Sequence, residues 1–211
     1  MKAFFIFVVF SILLFSNQNN SSISQFKSSC DNGKSISCNN LGNIYEHGLD
    51  GNKQDYDLAF KYYQKACKSN LYVACSNLGY LYQYGYTTKV NYKKALELYK
   101  IACKANVAKG CYNLGIMHRD GLATDQNYTK AYYLFTYACQ NGIFNGCTHL
   151  GLLYQDGLGV KKSFPKAMNY YQKACDNDEK IACHNLALLF YYEKKDKKIA
   201  SSLFKKGCQL N

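Results

Sequence analysis

Ten of the eleven cysteines stand in pairs eight residues apart: Cys30 and Cys38, Cys67 and Cys75, Cys103 and Cys111, Cys139 and Cys147, Cys175 and Cys183. Thiols at fixed spacing ligate a metal, act as a redox or nucleophilic pair, or form a disulfide. On one unbroken helix, eight residues would separate the sulfurs by about 12 Å, beyond disulfide reach, so bridging requires the chain to turn between them. The intervening segments supply turn residues: DNGKSIS and QNGIFNG contain Asn-Gly, and KSNLYVA and DNDEKIA begin with polar breakers. Each pair then joins the end of one helix to the start of the next. Closing a loop of about nine residues contributes roughly 2.5 kcal/mol in the chain-entropy account. A zinc site is disfavoured, because no C-x-x-C occurs and His47, His118, His149 and His184 fall at unrelated places. No metal and no cofactor is expected. Cys208 has no later partner in the sequence and is expected to be a free thiol or an intermolecular link.

The remaining reactive residue types assemble no enzyme signature. S-x-x-K occurs at Ser24/Lys27, Ser163/Lys166 and Ser202/Lys205, without the S-D-N and K-T-G motifs that a serine β-lactamase needs beside it. The H-E-x-x-H pattern of zinc hydrolases is missing as well. Asp120-Gly121 and Asp156-Gly157 read as helix-end punctuation. His118 takes a position held elsewhere by Tyr45, Tyr82, Tyr154 and Phe190, and reads as a core substitution. His149 replaces an asparagine found at Asn40, Asn77, Asn113 and Asn185.

These residues sit in a repeated frame. The first cysteines of successive pairs are separated by 37, 36, 36 and 36 residues, and Cys208 follows Cys175 by 33. Each second cysteine opens one phrase: CNNLGNIYEHG, CSNLGYLYQYG, CYNLGIMHRDG, CTHLGLLYQDG and CHNLALLFYYE. Leu three residues on, a small residue four on and an aromatic or His seven on share one helical face, predicting an amphipathic helix. Gly48, Gly85, Gly121 and Gly157 stop that helix. A second helix starts at Asp55, Asn91, Asn127, Ser163 and Asp196, whose side chains cap its first turn. The tails YYQKAC, LYKIAC, LFTYAC and LFKKGC set large apolar residues beside small ones, so neighbouring helices can interdigitate. The single proline, Pro165, falls in a first turn where a missing amide costs little. One such hairpin cannot bury its own apolar face, whereas stacked hairpins share a core. The expected fold is all-α: an α-solenoid of stacked αα-hairpins stapled by disulfides, forming one domain over residues 25–211.

Met1-Lys2 followed by an apolar run from Ala3 to Phe15 has the charge and length of a secretory signal, placed at residues 1–24. It is too short to span a bilayer comfortably. With the disulfides, it predicts a periplasmic or secreted protein with no membrane span after signal removal. The net charge of +12 raises nucleic acid as a partner. An exported chain rarely meets one, and many lysines fall on second helices, as in Lys61, Lys65, Lys93 and Lys173. A solvated outer face is the better reading, and no nucleic acid is expected.

The phrase N-L-G-x-x-Y-x-x-G followed by a K-A helix resembles the Sel1-like repeat, a relative of the tetratricopeptide repeat. With a cysteine pair in each unit and a signal-like segment, Cys30 to Cys208 resembles the bacterial secreted cysteine-rich Hcp group. That resemblance implies penicillin binding and weak β-lactamase activity on one side, and an interaction scaffold on the other. No catalytic residue can be named for the former. By the same resemblance the first helices line a concave groove, and Asn40, Asn77, Asn113, His149 and Asn185 form its ligand track, with His47, Tyr84, Asp120, Asp156 and Tyr192 seven residues on. The expected ligand is a peptide, a peptidoglycan fragment or a protein partner. A purely structural role for the asparagines, in turns between repeats, stays open, as does a non-enzymatic adaptor toward an envelope or host partner.

Overall fold

The computed structural model describes residues 23–210, so the signal-like segment up to residue 22 lies outside the described residues. Among these the chain is all-helical. A helix over residues 23–31 (α1) is followed by α2 (Ser35–His47), α3 (Tyr56–Lys68), α4 (Tyr72–Tyr84), α5 (Tyr92–Lys104), α6 (Ala108–Asp120), α7 (Tyr128–Gln140), α8 (Phe144–Asp156), α9 (Phe164–Cys175), α10 (Lys180–Tyr192) and α11 (Lys197–Gln209). The described residues form two compact units, divided between Leu98 and Tyr99. In the first, α3 packs against α2 and α4; in the second, α6 to α11 each pack against their neighbour in sequence. The architecture is the α-solenoid of disulfide-stapled αα-hairpins that the repeat predicts.

Both ends of every hairpin follow from local chemistry. Gly48, Gly85, Gly121 and Gly157 close the first helices in the left-handed conformation, at φ of 64°, 67°, 68° and 74°. At Gly85 a Cβ would also lie 2.9 Å from the Thr88 carbonyl oxygen, so glycine is required twice over. The second helices are capped as expected: Asp55, Asn91, Asn127, Ser163 and Asp196 each accept from the amide three residues on. The same five residues clasp the hairpin. Their own amides donate to the carbonyls of Tyr45, Tyr82, His118, Tyr154 and Phe190, at 2.7 to 2.9 Å. The aromatic column of the first helix therefore marks where the chain doubles back.

Inside the hairpins a ring lies flat against a glycine. Tyr63 covers Gly42, Phe135 covers Gly115, and Tyr171 covers Gly151; a Cβ at these glycines would meet ring carbons at 2.4, 2.7 and 2.4 Å. All three rings are fully buried. Burying a large side chain is worth about 1.5–3 kcal/mol, and the absent Cβ is what lets the helices approach this closely.

The five expected disulfides are formed, with Cα–Cα separations of 4.4 to 4.9 Å. Each spans a turn whose third residue after the first cysteine has positive φ: Gly33, Asn70, Asn106, Gly142 and Asp178. Cys208 is free and exposed. Five bridges suit a non-reducing, extracytoplasmic environment. No described helix is long and apolar enough to cross a membrane.

Candidate functional site

The register of the first helix one residue before its buried leucine carries the asparagine column, and the two units use it differently. In the first unit Asn77 is only 5% exposed, and its Nδ2 donates to Asn39 Oδ1 of α2 at 3.2 Å. Asn40 is half-buried. In the second unit Asn113 is buried at 8% exposure, while His149 and Asn185 are partly exposed. The face is thus less open at Asn77 and Asn113 than the sequence suggests, and Asn77 meets the preceding first helix at Asn39. The column seven residues on meets solvent instead: Tyr84 and Tyr192 are 51% and 67% exposed, and His47, Asp120 and Asp156 are exposed too.

His149 stands in a built cluster. Its ring stacks on Phe135 of α7, with centroids 4.8 Å apart, and on Tyr112 of α6 at 5.7 Å. Arg119 grips Asp120 through both carboxylate oxygens, at 2.6 and 2.7 Å, and turns Nη1 to His149 Nδ1 at 2.9 Å. An arginine can only donate, so Nδ1 is the acceptor and the ring proton belongs on Nε2, 3.3 Å from the Tyr112 hydroxyl. Burial, with the Arg119 charge adding to it and Asp120 opposing, pushes the His149 pKa down to about 4. The imidazole is neutral at neutral pH and fully engaged. It serves as a tie between α6 and α8. His118, the other substituted histidine, is buried as expected of a core position, and its pKa is lowered, first by burial.

Farther along the second unit, α8 and α10 open a cleft of about 370 Å³. Its lining includes Asn185, Leu188, Leu189 and Tyr192 of α10, Gln155 and Asp156 of α8, then Lys162, Phe164 and Glu193. Asn185 and Tyr192 are one member of each expected column, and Asp156 is a second member of the exposed one. Gln155 is held in place by the Tyr171 hydroxyl, which donates to its Oε1 at 2.9 Å. Asn185 also reaches that hydroxyl. The buried ring of the hairpin seam thereby orients the Gln155 carboxamide of the cleft. Lys162 lays its ammonium 4.8 Å from the Phe164 ring centroid.

In the first unit the structure gathers four tyrosines that sequence reasoning did not single out as a group. Tyr56 stacks on Tyr86 with centroids 4.3 Å apart, and Tyr80 packs against Tyr84 at 4.6 Å. The signal was present at Tyr86, which follows Gly85 where Leu49, Leu122 and Leu158 follow the equivalent glycines.

The three S-x-x-K pairs fall at three different helices. Ser163 spends its hydroxyl capping α9, and Lys166 extends over the Tyr154 ring. Ser202 and Lys205 lie on α11, and Ser24 and Lys27 on α1. Among the described residues no three His, Cys, Asp or Glu side chains converge as a metal site. The arrangement offers carboxamides, phenols and carboxylates to a bound molecule.

The Sel1 repeat matches the sequence five times, at residues 35–71, 73–107, 108–143, 145–179 and 180–211. The chain belongs to the Sel1 repeat family. No curated protein matches it. Among solved structures, a Sel1 repeat protein from Oxalobacter formigenes superposes with a TM-score of 0.78 at 23% identity, covering 92% of this chain and 84% of that one. A protective antigen of uropathogenic Escherichia coli strains gives 0.74 at 25% identity over 89% of this chain. The present Sel1 protein spans 41% of that antigen's length. The Helicobacter pylori cysteine-rich protein HcpB is 27% identical over 63% of this chain and 94% of its own, with a TM-score of 0.48. The Sel1 match fixes the repeat boundaries at the bridged turns, which is where the cysteine spacing had set them.

Proposed function

We propose that this Sel1 repeat protein is an interaction module, exported to a periplasmic or extracellular setting, that holds an extended peptide segment of a partner protein against its first helices. The observation that carries this reading is the α8–α10 cleft, where Asn185, Gln155 and Tyr192 present hydrogen-bonding and aromatic groups on rigid, disulfide-anchored helices. An extended segment offers a donor and an acceptor at each residue, and a carboxamide answers both. Tyrosine adds contact area at small entropic cost. Asn185 is the member of the expected ligand track that lines this cleft; Asn40 and His149 are partly buried as it is but lie outside the lining, and Asn77 and Asn113 are buried. A peptidoglycan stem peptide would present the same backbone groups. β-Lactam hydrolysis is left out of this function, since the S-D-N and K-T-G motifs do not accompany the S-x-x-K pairs and Ser163 is engaged as the cap of α9.

The test is photocrosslinking. Oxidised protein carrying a benzophenone amino acid at Tyr192 is panned against displayed random dodecapeptides, and enriched peptides are crosslinked by light. Crosslinks should form at Tyr192 and not from the same probe at Tyr133, which is equally exposed but lies on the second helix α7. Equal labelling at both positions, or no enrichment at all, defeats the reading.

A further inference from the structure

The α8–α10 cleft differs in charge from the molecule around it. The chain holds 26 Lys and Arg against 14 Asp and Glu. The cleft lining holds two carboxylates, Asp156 and Glu193, against the single Lys162. That lysine rests its ammonium on the Phe164 ring, 4.8 Å from the centroid, and is not among the ion pairs of the described residues. The lining also includes the apolar Leu188 and Leu189, and Tyr192, another lining residue, is 67% exposed. At about 370 Å³ the space is at the low end for a ligand site, sized for one long side chain with its flanking backbone.

We infer that this cleft receives a lysine or arginine side chain of the bound peptide. The inference rests on the peptide-binding reading and names its specificity. A basic side chain is the one type that matches the lining throughout: its methylenes lie along Leu188 and Leu189, and its cation meets carboxylates and an aromatic face. An acidic side chain would face Asp156 and Glu193 with like charge. An aliphatic one would bury no charge but leave both acids without a partner. Steering also favours this choice, because a negative cleft on a strongly positive protein concentrates the field at one place and directs a cationic segment there. Lys162 is the counterweight. It limits affinity for a cation, and its removal should strengthen binding.

The experiment is an NMR titration of the full oxidised protein with capped decapeptides of Ser, Thr and Asn around a central Lys, norleucine or Glu. Amide shifts should cluster at Asn185, Leu188 and Tyr192, with the Lys peptide binding at least tenfold tighter than the norleucine peptide at low salt. Asp156→Asn with Glu193→Gln should abolish that preference, and Lys162→Met should raise affinity for the Lys peptide several-fold. Equal binding of Lys and norleucine peptides overturns the charge assignment and leaves peptide binding standing. Tighter binding of the Glu peptide, or weaker binding of the Lys peptide by Lys162→Met, overturns it in the opposite sense. Absence of shifts with every peptide overturns both this inference and the reading beneath it.

Discussion

Gly151 and His149 lie two residues apart on α8 and obey different rules. Gly151 faces the Tyr171 ring across its own hairpin, and the same glycine and ring recur as Gly42 with Tyr63 and Gly115 with Phe135. His149 faces the preceding first helix, where the equivalent residues are Asn77 reaching Asn39 in the first unit and a histidine held by Arg119 and Tyr112 in the second. Where the ring is this close the seam holds glycine, because a Cβ at 2.4 Å from a buried ring carbon has nowhere to go; only the last repeat departs, with a buried Ala187 at the same position. A polar seam admits any side chain that finds partners. Difference between repeats therefore collects on the first-helix face, while the hairpin interior varies only between glycine and, in the last repeat, Ala187.

The largest effect that would sharpen this contrast is pH dependence at His149. Its folded pKa lies near 4, below the ordinary 6.5, so the unfolded chain binds the proton first. The stabilisation is complete above pH 6.5, declines as pH falls toward 4, and is spent below that. The span corresponds to about 3 kcal/mol at the conversion of about 1.4 kcal/mol per pKa unit. Urea unfolding at pH 7 and pH 4.5 should show most of that loss in the wild type and little of it in His149→Asn, which restores the residue of the other repeats. His118, lowered in the same direction, leaves a smaller residual slope in both. Equal slopes in the two proteins would mean that His149 is not a buried neutral tie.

Next in size is the turn end of the repeat. Replacing Cys175 and Cys183 together by Ala should cost about 2.5 kcal/mol, the entropy of a nine-residue loop. Gly151→Ala should follow at about 1–3 kcal/mol from overpacking, reduced by roughly 1 kcal/mol of gained helix propensity. Adding Tyr171→Leu should remove most of the Gly151→Ala penalty, a coupling that a chemical-denaturation double-mutant cycle reads directly. If the penalties simply add, the ring is not what requires the glycine.

The legibility of the sequence divides along the same line. Helix ends, caps, disulfides and the leucine seam were readable because each depends on residues close in sequence: Asp55 with the Leu58 amide, or Cys30 with Cys38. The glycine column was visible only as small residues, since its cause is a ring far along the chain on the second helix, as with Gly42 and Tyr63. Burial of Asn77 and Asn113 was not readable at all. A helical wheel places them off the leucine seam, but whether that flank is open depends on what packs against it, as Asn39 of α2 does at Asn77, which a single-helix pattern does not encode. The cleft was half legible: Asn185, Asp156 and Tyr192 belong to the two columns, whereas Lys162 and Phe164 come from the inter-helix segment and the start of α9 and share no register with them.

The smallest stability effects separate the two halves of the asparagine column. Asn77→Ala removes the donor to Asn39 inside a closed contact and should cost about 1–2 kcal/mol, in line with leaving a buried polar partner unsatisfied. Asn185→Ala empties a partly exposed position at the edge of the cleft, where water replaces the lost group, and should cost about 0.5 kcal/mol, as for a solvated hydrogen bond. Binding should rank the two variants the other way. Asn185→Ala should weaken the peptide selected through Tyr192 by about 1 kcal/mol, the typical worth of one backbone hydrogen bond, while Asn77→Ala leaves it unchanged at a temperature where the variant is folded. Calorimetric titration alongside thermal unfolding gives both quantities on the same samples. A loss of affinity in Asn77→Ala with no loss in Asn185→Ala would move the recognition face from the second unit to the first, toward Tyr80, Tyr84 and Tyr86, and would sink the α8–α10 assignment.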